Sequence, residues 1–152
     1  MRDARMMGSW VLALFLAVMF VWIADLSLFP ASEARNVVFP LLAEKSDIWL
    51  WEPTGRYVTG LAEVLAALLL VIPFTRRIGA ILGFLIAGGA VAAQIVWLGM
   101  AVPVEQGSKT TDGGQLFYLA LALAVASLLL IFIHPGKDNS GPSPTGLGSY
   151  GR

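Results

Sequence analysis

A single carboxylate, Glu63, stands inside the apolar run from Tyr57 to Phe74. An ionised acid at membrane depth costs several kcal/mol unless it is paired, hydrated or protonated, and such residues usually face the interior of a helix bundle. Other polar groups stand close to the ends of apolar runs. Asp25 lies near the end of the first, Gln94 near the end of the third, and Gln115 and Tyr118 at the start of the fourth. Placed by depth, all of them fall in the outer third of a bilayer. Trp22, Trp49, Trp51, Trp97 and Tyr57 gather on the same side, leaving Trp10 on the other. Two kinds of chemistry suit such a cluster. Glu63 and Asp25 can bond to helix-end amides or pair with Arg56 and Lys45, with the tryptophans forming an interfacial belt. Alternatively, aromatic walls and a protonatable carboxyl can form a pocket, with Glu63 and Asp25 as the chemical groups and Glu63, Gln94, Trp97, Tyr118 and Trp22 around a quinone headgroup or a proton path.

Other chemistries lack their residues. The chain has no cysteine, which excludes disulfides and thiolate metal sites. Its one histidine, His134, stands before Pro135 at the end of the last apolar run, so a haem with two histidine ligands from one chain is excluded. No metal-ligand spacing, P-loop, GxGxxG or serine triad is present. Formal net charge is zero and there is no basic block, which argues against nucleic-acid binding.

The elements that must position these groups are membrane helices. Of the 152 residues, 57% are hydrophobic and 13% charged, against roughly 25% charged in an ordinary soluble domain, and mean hydropathy is +0.77. The apolar runs are apolar all round and not along one stripe, so they are not amphipathic soluble helices. A bilayer core of about 30 Å takes roughly 20 helical residues. The expected fold is therefore an all-α membrane protein, a four-transmembrane-helix bundle with spans at about 10–29, 57–74, 78–100 and 115–133. Residues 1–9 precede this domain, which runs over 10–134, and the Gly, Ser and Pro-rich tail 135–152 is expected to be disordered. Arg2 and Arg5, the first apolar run and Ala31-Ser32-Glu33-Ala34 together imitate a signal peptide, but the run exceeds the ~7 to 15 residues of a signal core, so a retained first helix is expected.

Pro30 to Arg56 mixes charges with Val37-Val38-Phe39 and Ile48-Trp49-Leu50-Trp51, too polar to span and too apolar for a free loop. It is expected to form an interfacial or re-entrant segment in the first external loop. Arg2, Arg5, Arg76, Arg77, Lys137 and Arg152 gather on one side of the four spans, so both termini are expected in the cytoplasm. In the third span, Gly79, Gly83, Ala87, Ala90 and Gln94 recur at helical spacing. Small residues of this kind allow close helix approach in lipid, where no hydrophobic drive holds helices together.

The run Thr59-Gly60-Leu61-Ala62-Glu63 through Val71-Ile72-Pro73, followed by Thr75-Arg76-Arg77-Ile78-Gly79-Ala80, resembles the core of the DoxX/DoxD-like family of small four-helix membrane proteins. The likeness lies in Gly60 with Glu63, and in Pro73, Arg76, Arg77, Gly79 and Ala80 at the turn. Some family members have a histidine near where Gln94 stands. The resemblance implies a compact bundle in a bacterial plasma membrane, with relatives tied to thiosulfate:quinone oxidoreductases or oxidative-stress complexes. On this basis the chain is expected to be a subunit or accessory partner of a membrane redox system, with a quinone as the cofactor to look for and lipid and other membrane proteins as partners. The alternative is a non-catalytic membrane subunit whose small-residue faces and outer cap dock a larger complex.

Overall fold

The computed structural model describes residues 2–30 and 36–133, with side chains from Met6 onward. The Ala31–Ala34 stretch, Glu33, Arg35, His134 and the tail 135–152 lie outside the described residues. Five α-helices follow one another: α1 (Arg2–Leu28), α2 (Val38–Ser46), α3 (Thr54–Val71), α4 (Arg76–Ala93) and α5 (Gln115–Ile133). A 3-10 turn at Trp49–Trp51 precedes α3, and α4 runs on into a π-helical turn, Gln94–Leu98. Four helical segments are long and apolar enough to cross a membrane, Met6–Leu28, Thr54–Val71, Arg76–Leu98 and Gln115–Ile133. The chain is a multi-pass four-helix bundle.

The four long helices stand in a square in which α3 packs on α1 and α4, and α5 on α4 and α1. Neighbouring long helices run antiparallel, with Gly60 near the start of α3 against Leu28 at the end of α1, and Gly79 near the start of α4 against Leu69 and Leu70 at the end of α3. The core consists of Ala13, Leu16, Phe20, Ala66, Leu70, Ala80, Ala87, Leu123 and Leu130, each at most 3% exposed. Outside it, Val18, Leu61, Leu85, Ile95 and Phe132 are exposed, which is the belt a helix in lipid presents.

The α3–α4 turn is set by Pro73. The residue before a proline is pushed out of the helical region, and Ile72 is accordingly extended at φ −81°, ψ 119°. The carbonyls freed at the end of α3 would be costly in lipid. Thr75 Oγ1 donates to Leu69 O at 3.0 Å, Arg76 Nε to Leu70 O at 3.1 Å, and the Thr75 amide to Ile72 O at 3.2 Å. Both helices thus differ from the expected spans of 57–74 and 78–100. α3 starts at Thr54, after Pro53, with Arg56 buried on its inner face, and α4 starts at Arg76, after Thr75, with that side chain buried too.

The segment before α3 forms a cap on one end of the bundle. At nine residues, α2 is too short to cross a bilayer. It lies over a second apolar cluster, Val37, Leu42, Leu98 and Val102, against which Trp51 and Ala93 also pack. The polar loop between α4 and α5 is folded into a small hairpin. Pro103 bridges Thr111, Val104 N donates to Thr110 O at 3.0 Å, and Asp112 N donates to Val102 O at 2.9 Å. Gln106 Nε2 donates to Asn36 O at 2.6 Å, tying the hairpin to the segment before α2. Asp112 closes the hairpin and starts α5. Its Oδ1 accepts from Val102 N at 2.9 Å and Gly114 N at 3.0 Å, and its Oδ2 from Leu116 N at 2.9 Å. Burial pushes its carboxyl up, but the amides of Leu116, Gly114 and Val102 together prevail and hold it below the ordinary carboxylate range.

Candidate functional site

Glu63 lies on the inner face of α3, in the buried series Arg56, Gly60, Glu63, Ala67 and Leu70. It is 5% exposed. Its Oε2 is buried without a hydrogen-bond partner, and among the described residues Glu63 forms no ion pair. Its small neighbours let other helices close over it. A methyl group on Gly60 would lie 2.7 Å from Leu28 Cγ of α1.

The depth of Glu63 follows from the register of α3 and α4. A methyl group on Gly79 would lie 2.7 Å from Leu70 N and 2.9 Å from Leu69 C, so the backbones touch at this level. Seven residues along each helix toward the cap, about 10 Å at 1.5 Å per residue, Glu63 falls level with Ile86. That is the middle of the span Arg76–Leu98. The outer-third placement expected from sequence is shallower than this, because α3 begins at Thr54, before its apolar run, which sets Glu63 near the middle of the helix.

Gln94 is the second buried polar side chain of the expected cluster, 6% exposed with Oε1 unpartnered. It opens the π turn, whose wider winding is closed by Gly99 N donating to Gln94 O at 2.7 Å. Single π turns inside α-helices occur frequently at functional sites. By the same register Gln94 stands about level with Arg56, one further step of about 10 Å toward the cap. Helical side chains lean toward the N-terminus of their own helix. The N-terminus of α3 is at the cap and that of α4 at the opposite turn, so Glu63 and Gln94 lean toward one another.

The remaining expected members do not join them. Asp25 is exposed, and Trp22, Trp97 and Tyr118 are 50%, 38% and 63% exposed. They face outward, where their rings suit an interfacial belt. Arg56 does not pair with Glu63. Its Nε stands 3.1 Å from Glu52 Oε1, close enough for charges to attract but not aligned as a hydrogen bond. Its Nη1 reaches Ser27 O at 3.5 Å, and its guanidinium lies 4.8 Å from the centre of the Tyr57 ring.

One interior polar group has no counterpart in the sequence-based expectation. Arg76, expected as a loop cation, is 2% exposed. It holds Leu70 O through Nε, reaches Ser9 Oγ through Nη1 at 3.5 Å, and lies 3.9 Å from the centre of the Trp10 ring. The signal available was the aromatic and hydroxyl pair Ser9-Trp10 at the matching end of the first helix. Ser127, 0% exposed with its Oγ unpartnered, is another, set beside Gly83 of α4 and the Phe20 ring of α1.

Among the described residues no group of three or more histidines, cysteines or carboxylates is placed to hold a metal. The arrangement can accept hydrogen bonds from a small polar group at Glu63 and Gln94, or hold and release a proton at Glu63. Comparison with protein-family models, curated proteins and solved structures gives no match.

Proposed function

We propose that this chain is a DoxX-like protein of a bacterial plasma membrane, with both termini in the cytoplasm, that serves as a subunit or accessory partner of a quinone-linked redox system. The observation that carries this is Glu63, a carboxyl in mid-bundle with an unpartnered oxygen and, among the described residues, no ion-pair partner. A group buried at such cost is retained where it meets a ligand or moves a proton. Glu63 Oε2 and Gln94 Oε1 are both acceptors. They suit the hydroxyl donors of a reduced quinone headgroup, and a protonated Glu63 would in turn donate to a quinone carbonyl.

Mass spectrometry of lipid extracts from the purified full-length protein tests this. Quinone is expected in stoichiometric amount, and Glu63→Gln is expected to lose it while remaining folded. The same quinone content in wild type and variant would remove Glu63 from the site. No quinone together with a tightly bound protein partner would favour a docking subunit instead. That second role has its own support in a cleft of about 250 Å³ in the cap, lined by Val37, Pro40, Leu41, Glu44, Pro103 and Gln106 among others.

A further inference from the structure

We infer that Glu63 exchanges its proton with one side of the membrane only, through a path of buried polar groups leading to the cap, and that this holds whether or not a quinone binds. Buried unpartnered polar atoms lie in both directions from Glu63, Ser127 Oγ and Arg76 Nη2 toward the turn among them, but only on the cap side do they continue to an exposed end. Toward the cap, Gln94 Oε1, Arg56 Nε, Trp51 Nε1 and Glu52 Oε2 are all buried without a hydrogen-bond partner. Buried polar atoms in this condition are commonly joined by internal water, which needs two to four polar partners. Glu52 is 23% exposed, so the series ends where solvent begins.

In the opposite direction the bundle is closed. Leu16, Phe20, Leu70 and Leu130 are each at most 1% exposed. A methyl group on Gly83 would lie 2.7 Å from the Phe20 ring and 3.1 Å from Ser127 Oγ, so the one hydroxyl in this layer is wedged against carbon. Beyond the layer stands Arg76, 2% exposed, whose guanidinium is held by Leu70 O and Ser9 and is cut off from Glu63 by these carbon side chains.

The titratable surroundings of Glu63 are correspondingly sparse. The buried face of α1 brings none to its level and Asp25 is exposed, α4 offers Arg76 at its far end, and the one titratable residue of α5, Tyr118, is exposed. From its own helix Arg56 faces inward, and from the cap segment Glu52. The step is a simple transfer. A hydronium or protonated Glu52 gives its proton through water to the Glu63 carboxylate, leaving water or the Glu52 carboxylate and a neutral Glu63.

Dicyclohexylcarbodiimide, a lipid-soluble reagent for protonated carboxyls, reads this state as a mass adduct on Glu63. The full chain carrying Lys109→Cys is reconstituted in phosphatidylcholine and phosphatidylglycerol vesicles. Because the sequence has no other cysteine, an impermeant biotin maleimide marks chains whose cap faces outward, and these are captured after the reaction. With external and internal pH varied separately, the Glu63 adduct in these chains is expected to follow external pH alone. It should fall roughly tenfold per unit once the carboxyl's pKa is passed. Gln94→Leu is expected to slow the response to a jump in external pH, and Gln94→Asn to restore it. An adduct that follows internal pH, both or neither, or that never forms, overturns the inference, as does a Gln94→Leu response as fast as wild type. If Gln94→Leu does not fold, the two-sided pH experiment on the Lys109→Cys chain decides. Quinone content plays no part in this readout, so a bundle that carries no quinone can still pass the test.

Discussion

A guanidinium is an expensive group to bury, and Arg76 shows what makes it tolerable. Its forked donors meet the Leu70 carbonyl and Ser9, and its face covers Trp10, so one side chain joins three helices at the end of the bundle. A lysine has neither the fork nor the flat face. Arg76→Lys and Arg76→Leu are both expected to lose about 2–3 kcal/mol, the worth of charged hydrogen bonds in a buried site. A thermal melt in detergent checks this, and an unchanged melting temperature in both would mean that the contacts contribute nothing. Glu63 is the opposite case, since among the described residues no cation pairs with it. Glu63→Gln keeps an acceptor and gains a donor at nearly the same volume. It is expected to melt within a few degrees of wild type while losing quinone. A large loss of stability would reveal a charge partner.

Helices in lipid need close contact, and the glycines of α4 divide cleanly by whether they supply it. Gly79 touches the α3 backbone and Gly83 touches Phe20, whereas Gly88 and Gly89 have open space beside them. Gly83→Leu is therefore expected to force α1 and α5 away, with a cost of about 1–3 kcal/mol or more from overpacking. Gly88→Leu, on the same helix, is expected to be neutral. Equal melting temperatures for the two variants would show that this packing does not hold the bundle. Ala90, read on the same face from its spacing, is exposed, because the buried positions follow Gly83, Ala87 and Gln94 and leave it at the edge. The four spans were legible because apolar runs of membrane length have few other uses. Glu63 and Gln94 were legible as polar residues at interior spacing. Arg76 was not, since its burial depends on Ser9 and Trp10, with Ser9 67 residues away in sequence. Nor was the hairpin between α4 and α5, whose polar composition reads as a loop until Asp112 gathers the amides of Val102, Gly114 and Leu116. With its folded pKa below the unfolded value, Asp112 stabilises fully above the unfolded pKa of about 4, and loses that contribution as pH falls through the folded pKa. Asp112→Asn is expected to cost about 1 kcal/mol at neutral pH, as loss of a helix cap does, and to flatten the acid side of the stability profile. The measurement is melting temperature against pH for the two proteins.

At the scale of the whole molecule the two ends of the bundle are unlike, and the difference sets how it sits in a membrane. One end is the folded cap, which carries Glu44, Asp47, Glu52, Glu105 and Asp112 against Lys45, Arg56 and Lys109. The other is the α3–α4 turn, where Arg77 is exposed beside buried Arg76 and no acid is present between Ile72 and Gly79. Burial of Arg76 does not remove it from the orientation signal, because lysines and arginines act while the chain is being inserted, before the bundle closes. The proposed orientation follows this bias, with the basic turn in the cytoplasm and the acidic cap outside. With four spans, that orientation would bring both termini to the cytoplasmic side, where Arg2, Arg5, Lys137 and Arg152 would add to the same bias. A reporter that is active only in the cytoplasm, fused after His134, is expected to be active, and a single cysteine at Lys109 is expected to react with an impermeant maleimide in intact cells. The reverse pattern would place the cap in the cytoplasm, and Glu63 would then draw its proton from the inner aqueous phase and not the outer one. Replacing both Arg76 and Arg77 by glutamine separates the insertion signal from the folded contacts. Mixed labelling at Lys109 in that variant is the outcome expected if the turn fixes orientation, and unchanged labelling would assign orientation to the termini.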